Sequence, residues 1–545
     1  MKTQQQVLSE FLSVSRRSFI TKVGGTALLM GGSSFLGAGA ALGQRAGGAR
    51  FFVREDRFGR MFPGLPAFAR PSQQLSAALI DIGKPGGVLD AKDNLAAGPV
   101  ALIADPKLNL DNPNNDLHTA GSTFMGQFLD HDITFDLGSR LNEPIDPEDS
   151  LNTRTPSFDL DSVYGGGPRR SPELYGHQRS PIKLKVESGG QFEDLPRRRD
   201  GSAILADPRN DENIMIAGLQ AAFFLFHNRA VDYVQKRHPR WDNDDVFREA
   251  RRLTTWHYQW LILHEFLPLF IGQSLTEDIL FRGRRYYRPR VGFIPVEFQG
   301  AAYRFGHTMV RPSYRANITG DNGGPFFGMI FDPKGQGQAD PVDLRGGARA
   351  PRRFIGWETF FNFGSIPRPN GTGTLGEDVR PNKLIDARIS TPLFNLPLQT
   401  IASGEPPTSL PQRNLLRQVT WSLPSGQRIA REMGMEPLGA SELGELRGYG
   451  LGLERSTPLW YYVLKEARLR ANGTTLGPVG ARIVGEVFIG LLQYDDESYL
   501  TQNPLWKPTL PGIMGGVTGE FRMIDFLAFA GVDPISRARG GAASL

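Results

Sequence analysis

A mainly α fold built as one large unit is what this chain of 545 residues predicts, and three observations predict it. Apolar side chains recur at helical spacing in several long stretches, strand patterns are few and short, and no break in composition cuts the chain into halves. Apolar residues make up 40%, enough to bury a substantial core, while 64 glycines and 40 prolines imply long loops between the regular elements.

Taken in order, the first 43 residues read as a leader. Ser15-Arg16-Arg17-Ser18-Phe19-Ile20-Thr21-Lys22 precedes an uncharged, Gly-rich, weakly apolar stretch, and Ala38-Gly39-Ala40 offers small residues for cleavage. This resembles a twin-arginine export signal, which implies a twin-arginine translocase as partner and a periplasmic or extracellular bacterial protein. Residues 44–114 are rich in Pro and Gly and read as an irregular arm over the core, leaving 115–545 as the catalytic domain. Helices are predicted over 122–133, 214–234, 247–272, 300–310, 414–421, 424–433, 459–471 and 481–492. In the second, Leu219, Phe223, Phe226 and Ala230 share a face, and the fourth ends before Pro312 as a helix should. Residues 318–352, dense in Gly, Asp and Pro, read as an inserted loop.

Charge and cysteine content exclude several classes. The net charge of +5 falls to +2 beyond the leader, where 58 basic residues face 56 acidic ones, so nothing argues for a nucleic-acid partner. The Arg197–Arg199 and Arg248, Arg251, Arg252 clusters read as solvated surface. There is no cysteine, which rules out thiol catalysis, thiolate metal sites and disulfides.

Four segments carry chemistry. Gln127-Phe128-Leu129-Asp130-His131-Asp132 puts Gln127 and His131 on one helical face, with carboxylates flanking the imidazole that a core helix would not otherwise hold. Thr155-Pro156-Ser157-Phe158-Asp159-Leu160-Asp161 alternates oxygen-bearing side chains in a manner suited to a hard cation. Arg209-Asn210-Asp211-Glu212 stands just before the second helix. In Tyr303-Arg304-Phe305-Gly306-His307-Thr308, Gly306 lets something large approach the backbone beside His307. Further on, Arg413-Asn414-Leu415-Leu416-Arg417 sets a polar amide within a helical run.

In order and identity these segments resemble the motifs of the animal-type haem peroxidases of the peroxidase–cyclooxygenase superfamily, over roughly residues 115–500. The resemblance implies a large single-domain haem peroxidase fold of the myeloperoxidase type. It implies His131 as distal base, Arg209 as distal Arg and Gln127 as the Gln of the halide and water site. It also implies His307 as haem-iron ligand and Asn414 as the partner of its other ring nitrogen. Asp130 and Glu212 match the carboxylates that form ester bonds to haem b, and Arg304 and Arg417 match positions near its edge. Asp132, Thr155, Ser157 (through its carbonyl), Asp159 and Asp161 match calcium ligands. The implied reaction reduces hydrogen peroxide through a ferryl intermediate and oxidises a halide, thiocyanate or small phenolic donor. Asn213 stands where myeloperoxidase has a sulfur-linked methionine, so no sulfonium bond is expected.

The chemistry of the residue types agrees with what the resemblance implies. A neutral His can take a proton from peroxide and return it, an Arg can stabilise negative charge as the O–O bond breaks, and an Asn partner makes the ligating imidazole a weaker donor than a carboxylate would. Two rivals stand beside this. A fatty-acid dioxygenase of the same fold would carry a Tyr three residues before His307, but that place holds Arg304, and Tyr303 is about 100° out of register on a helix. A haem-binding adhesion or matrix protein would not need His131, Arg209, His307 and Asn414 together. The other histidines (His118, His177, His227, His238, His257 and His264) read as structural or surface residues.

Overall fold

Nine helices of eight residues or more organise the described residues: α1 (Gln73–Ile82), α2 (Ala120–Ile133), α3 (Ile214–Arg237), α4 (Asn243–Leu261), α5 (Gln273–Arg282), α6 (Leu410–Thr420), α7 (Leu459–Ala471), α8 (Pro478–Tyr494) and α9 (Met523–Ala530). The computed structural model describes residues 56–176, 180–188, 192–319, 324–332, 342–348, 352–369, 371–513 and 519–539. The leader, the first part of the arm and His177 lie outside them.

Strands are short, and the eight among the described residues pair only in twos. Phe58–Gly59 (β1) runs parallel to Ile294–Pro295 (β5), Asn114–Thr119 (β2) antiparallel to Pro381–Lys383 (β8), Glu187–Ser188 (β3) to Glu193–Asp194 (β4), and Ser313–Asn317 (β6) to Phe326–Met329 (β7). The fold is therefore mainly α.

Helix α3 forms the centre. Asn213 caps it by accepting from Ile216 N, and Ile214 to Asn228 is buried throughout. It is long and apolar enough to span a membrane, yet 89% of that window is buried within the fold, where α2, α4 and α9 pack around it. Phe223 of α3 stacks on Phe128 of α2, centroids 4.3 Å apart, and Phe226 stacks on Phe526 of α9 at 4.2 Å.

Several predicted elements differ in the structure. The arm is not uniformly irregular: Ser72 caps α1, and a second helix spans Gly98–Ala104. The run at 247–272 begins earlier, at Asn243, because Asp242 caps it, and it passes through a wider π turn at Ile262–Phe266 before ending at Ile271. The helix predicted over 300–310 is instead three pieces, Val296–Gln299, a 3-10 turn at Ala302–Phe305 and Gly306–Met309. The glycines at 300 and 306, poor in the middle of a helix, sit at these joints. The stretch 318–352 is not all loop, since it supplies β7 to a hairpin with β6. Arg197 is not solvated: its guanidinium is almost buried between Asp194 and Asp211.

Candidate active site

His131 lies near the end of α2, a helix whose sequence positions it closely. Phe124, Phe128 and Leu129 face the core, and Gly121 abuts Phe360 and Phe361, where an added Cβ would come within 2.5 Å of the Phe361 ring. The helix ends where Asn152 takes over its hydrogen bonding, accepting from Phe135 N and donating to Ile133 O. His307 comes from a separate element, the four-residue turn Gly306–Met309 that follows the 3-10 piece.

Both imidazoles line one cavity with about 1040 Å³ of atom-free space, its mouth included. Gln127, Asp130, Glu212, Asn213, Tyr303 and Arg304 share its wall, and an apolar sector of Phe331, Leu393, Leu396 and Leu410 completes it. Each ring is held at Nδ1 by an asparagine. His131 Nδ1 lies 2.7 Å from Asn210 Oδ1, and His307 Nδ1 lies 2.8 Å from Asn414 Nδ2. Burial pushes both rings down to about 3, helped by Arg209 at His131 and by Arg304 at His307, so both are neutral at ordinary pH.

The two asparagines present opposite ends. Arg304 NH1 donates to Asn414 Oδ1 at 2.9 Å, and since arginine can only donate, that oxygen is taken and the amide nitrogen faces His307. The expected contact between Asn414 and the other ring nitrogen of His307 is thus present; with the amide in this orientation the free neutral ring keeps its proton on Nε2, and binding a metal there requires that proton on Nδ1 and the amide turned over.

The carboxylates in the wall are raised. Burial takes Glu212 up to about 8, and it accepts from Gln127 Nε2 at 2.6 Å, while Asn213 Nδ2 donates to Gln127 Oε1 at 3.2 Å. Burial also raises Asp130, which bonds Thr134.

Two expected residues are not where the sequence reading placed them. Arg209 does not line the cavity. Its Nε and NH2 are bound by Asp207, and NH2 also donates to His131 O at 3.0 Å and Thr134 O at 2.7 Å, so it closes the end of α2 instead. Its motif neighbour Asp207 is the physical reason: burial would push that carboxyl up, but the Arg209 charge outweighs it and holds it at about 2. Arg417 likewise turns away, to Asp136 at 2.9 Å and over the Trp421 ring at 4.9 Å.

Below His131, Asp132, Asp159 and Asp161 bring carboxylate oxygens within 4.8 Å of one another. Burial first, then mutual repulsion, raises Asp132 well above its usual range and Asp159 to about 7. Thr155 touches Asp161 through N and Oγ1, whereas the Ser157 hydroxyl is occupied by Asp495 at 2.8 Å. One buried and two half-buried carboxylates facing one another suit a hard cation of the calcium kind.

The remaining histidines in the described residues are tied into packing. His227 Nε2 donates to Ile182 O and its Nδ1 accepts from Tyr164, His257 Nδ1 donates to Leu253 O, His264 stacks on Trp260, His238 stacks on Trp241, and His118 packs edge-on to Phe270.

Asn210 and Gln220 were missed by sequence reasoning. Asn210 stood inside a quoted motif without a role, and Gln220 is the lone polar residue in the apolar run 214–226. A lone amide in such a run must pair with something buried, which was the available signal.

Residues 108–333 match the animal haem peroxidase family. That span holds His131, the acidic loop, Arg209, Glu212 and His307; Asn414 and Arg417 lie beyond it. The chain is 30% identical over 222 residues to the human probable oxidoreductase PXDNL, covering 36% of this chain and 15% of that protein. It is 28% identical over 219 residues to the peroxidase mlt-7 of Caenorhabditis elegans, covering 37% and 30% respectively. The chain thus spans under a third of the length of either relative. Among solved structures, peroxidase A of Dictyostelium discoideum shares the fold, with a TM-score of 0.55, 17% identity and coverage of 82% of this chain and 88% of that one. A fatty acid alpha-dioxygenase of Oryza sativa shares it at 0.50 and 15%, covering 71% and 70%.

The match of residues 108–333 to that family points to haem, and the residues present fit it. Two neutral, buried imidazoles from separate elements border one cavity, each with Nδ1 engaged and no hydrogen bond at Nε2 among the described residues. An imidazole nitrogen is what a haem iron binds, and His307 would bind it through Nε2 with the ring proton on Nδ1.

Proposed function

We propose that this chain is an exported bacterial haem peroxidase, with His307 as the iron ligand and His131 as the base that works on peroxide. The observation that carries the reading is the pair of neutral imidazoles bordering one buried cavity. Haem, when bound, supplies the iron and the redox equivalents for splitting hydrogen peroxide.

The protein's own residues do the rest. His131 donates its Nδ1 proton to Asn210, which leaves Nε2 bare on the cavity side to take a proton from peroxide and give it to the departing oxygen. Gln127 is fixed by Glu212 and Asn213 at both ends of its amide, so it offers an ordered polar surface beside that base. His307 and Arg304 hold the opposite face, and Asp130 and Glu212 are the carboxylates in reach of ester links. Arg209 works at one remove, holding the carbonyl of His131 and the end of α2. Net, one hydrogen peroxide and two phenols, each giving up one electron and one proton, would yield two waters and two phenoxyl radicals, whereas one hydrogen peroxide, one halide or thiocyanate and one proton would yield one water and one hypohalous or hypothiocyanous acid. The donor is a halide, thiocyanate or small phenol reaching the cavity.

Calcium at Asp132, Thr155, Ser157, Asp159 and Asp161 would brace the residue next to His131. The Arg16-Arg17 leader would carry the folded protein out through the twin-arginine translocase. Tyr303 supports peroxidase over dioxygenase chemistry, because its hydroxyl donates to Gly126 O at 2.9 Å and is occupied there.

The test is an absorption spectrum of the purified protein, then acid–acetone extraction and a peroxide titration. A Soret band that shifts with stoichiometric peroxide supports the reading, and resistance to extraction supports the ester links. Protein expressed with ample haem that carries none would overturn it.

A further inference from the structure

We infer that Gln220, which takes no part in the cavity wall, decides which ring nitrogen of His131 carries the proton. The inference rests on the reading of His131 as base. His131, Asn210 and Gln220 form a buried row, 5%, 0% and 0% exposed. Asn210 Oδ1 is 2.7 Å from His131 Nδ1, and Asn210 Nδ2 is 2.6 Å from Gln220 Oε1.

A carboxamide has one accepting and one donating end. An asparagine between a ring and a second amide must turn its oxygen one way and its nitrogen the other. Because Gln220 Oε1 accepts from Nδ2, the oxygen of Asn210 faces the ring, and the ring must donate. A neutral imidazole has one N–H, so placing it on Nδ1 empties Nε2, the nitrogen left for the cavity.

Gln220 has no other visible duty. Its amide nitrogen is buried without a hydrogen-bond partner, and the residues around it on α3 are apolar. An apolar side chain of the same shape would pack there equally well. It would free Asn210 to turn over and donate to Nδ1, moving the ring proton to Nε2 and closing the base. Gln220 is thus a positioning residue acting through Asn210.

The test reads the tautomer directly and then the rate. The protein is labelled with ¹⁵N-histidine and held in its diamagnetic ferrous carbon-monoxide form, and long-range ¹H–¹⁵N spectra report each ring, with His131 assigned by its loss in His131→Gln. Wild type should show a protonated Nδ1 and a bare Nε2. Gln220→Met should shift His131 toward the Nε2–H form and slow the bimolecular reaction with peroxide, by up to about 10²-fold, the lower range for general base catalysis. Gln220→Glu keeps an accepting oxygen and should keep the wild-type tautomer. Asn210→Asp, which offers the ring an oxygen whatever stands at 220, should restore Nδ1–H in the Gln220→Met background. Gln220→Leu serves if Gln220→Met fails to fold. A wild-type ring protonated at Nε2, or a Gln220→Met ring unchanged, overturns the inference. A tautomer that switches with no change in peroxide rate upholds the row and instead removes His131 as the base.

Discussion

The two histidines that border the cavity are supported in contrasting ways. His131 stands on a 14-residue helix, α2, whose apolar side is packed on α3 and whose end is closed by Arg209 and Asn152. His307 stands on a four-residue turn between two breaks, held by Arg304, Asn414 and the packing of Phe305 and Met309. On the proposed reading, the base must keep its orientation through every turnover, and a long packed helix would give it that. A ligand at His307 would need a ring bare at Nε2 and close backbone approach, which Gly306 beside it permits. Rigidity on one side and access on the other are what the difference teaches.

Replacing each ring is the largest test of this contrast. His307→Ala should abolish haem retention, read as loss of the Soret band after gel filtration. His131→Ala should keep the haem and lower the rate of reaction with peroxide by about 10²–10⁴-fold, the usual contribution of a positioned acid–base group. Equal haem loss in both variants would break the assignment of sides.

The packing beneath α2 gives the next effect. Phe223→Ala removes the ring stacked on Phe128, at a site with no exposure, and should cost about 3–5 kcal/mol in denaturant unfolding. Because that ring backs the helix carrying His131, the peroxide rate should fall with it, while haem retention by His307 should not.

Calcium removal should also act on one side only. Burial and the neighbouring carboxylates raise Asp159 to about 7 and Asp132 further, so the ion-free fold holds protons that the unfolded chain has released. The native state then binds more protons, and stability of the ion-free form is greatest at the acid end and falls as pH rises through about 7. Calcium, bound there as proposed, would replace those protons. A chelator should therefore lower the Tm little at about pH 5.5 and markedly at about pH 8. A chelator effect that is the same at both pH values would argue against an ion among these carboxylates.

Much of this was legible in the sequence, for reasons that can be named. Helix α3 was readable because its apolar residues are dense and long, and His131, Asp132 and the Asp159–Asp161 loop because charged groups in apolar surroundings need partners. Arg209 was misplaced because sequence shows a charge but not its nearest partner, and Asp207, two residues earlier, claims it. Arg417 was lost to Asp136, 281 residues away in sequence, which no local pattern reveals. The break of the 300–310 helix turns on glycines whose tertiary role spacing cannot report. The polarity of the two asparagines depends on Arg304 and Gln220, which are distant in sequence from the amides they set.

The smallest effect tests that polarity. Asn210 presents an oxygen to its ring, so Asn210→Asp keeps the acceptor, and the iron potential should be nearly unchanged. Asn414 presents a nitrogen, held by Arg304 on its oxygen. With iron on Nε2 the His307 proton lies on Nδ1, and in Asn414→Asp it would be donated to a carboxylate instead of an amide. That makes His307 a stronger electron donor and stabilises the ferric state. The midpoint potential should fall by tens of millivolts in Asn414→Asp, measured by spectroelectrochemistry, and hardly at all in Asn210→Asp. Similar shifts in both variants would mean that the two amides act through charge alone, and that their opposite orientations do not tell the two sides of the cavity apart.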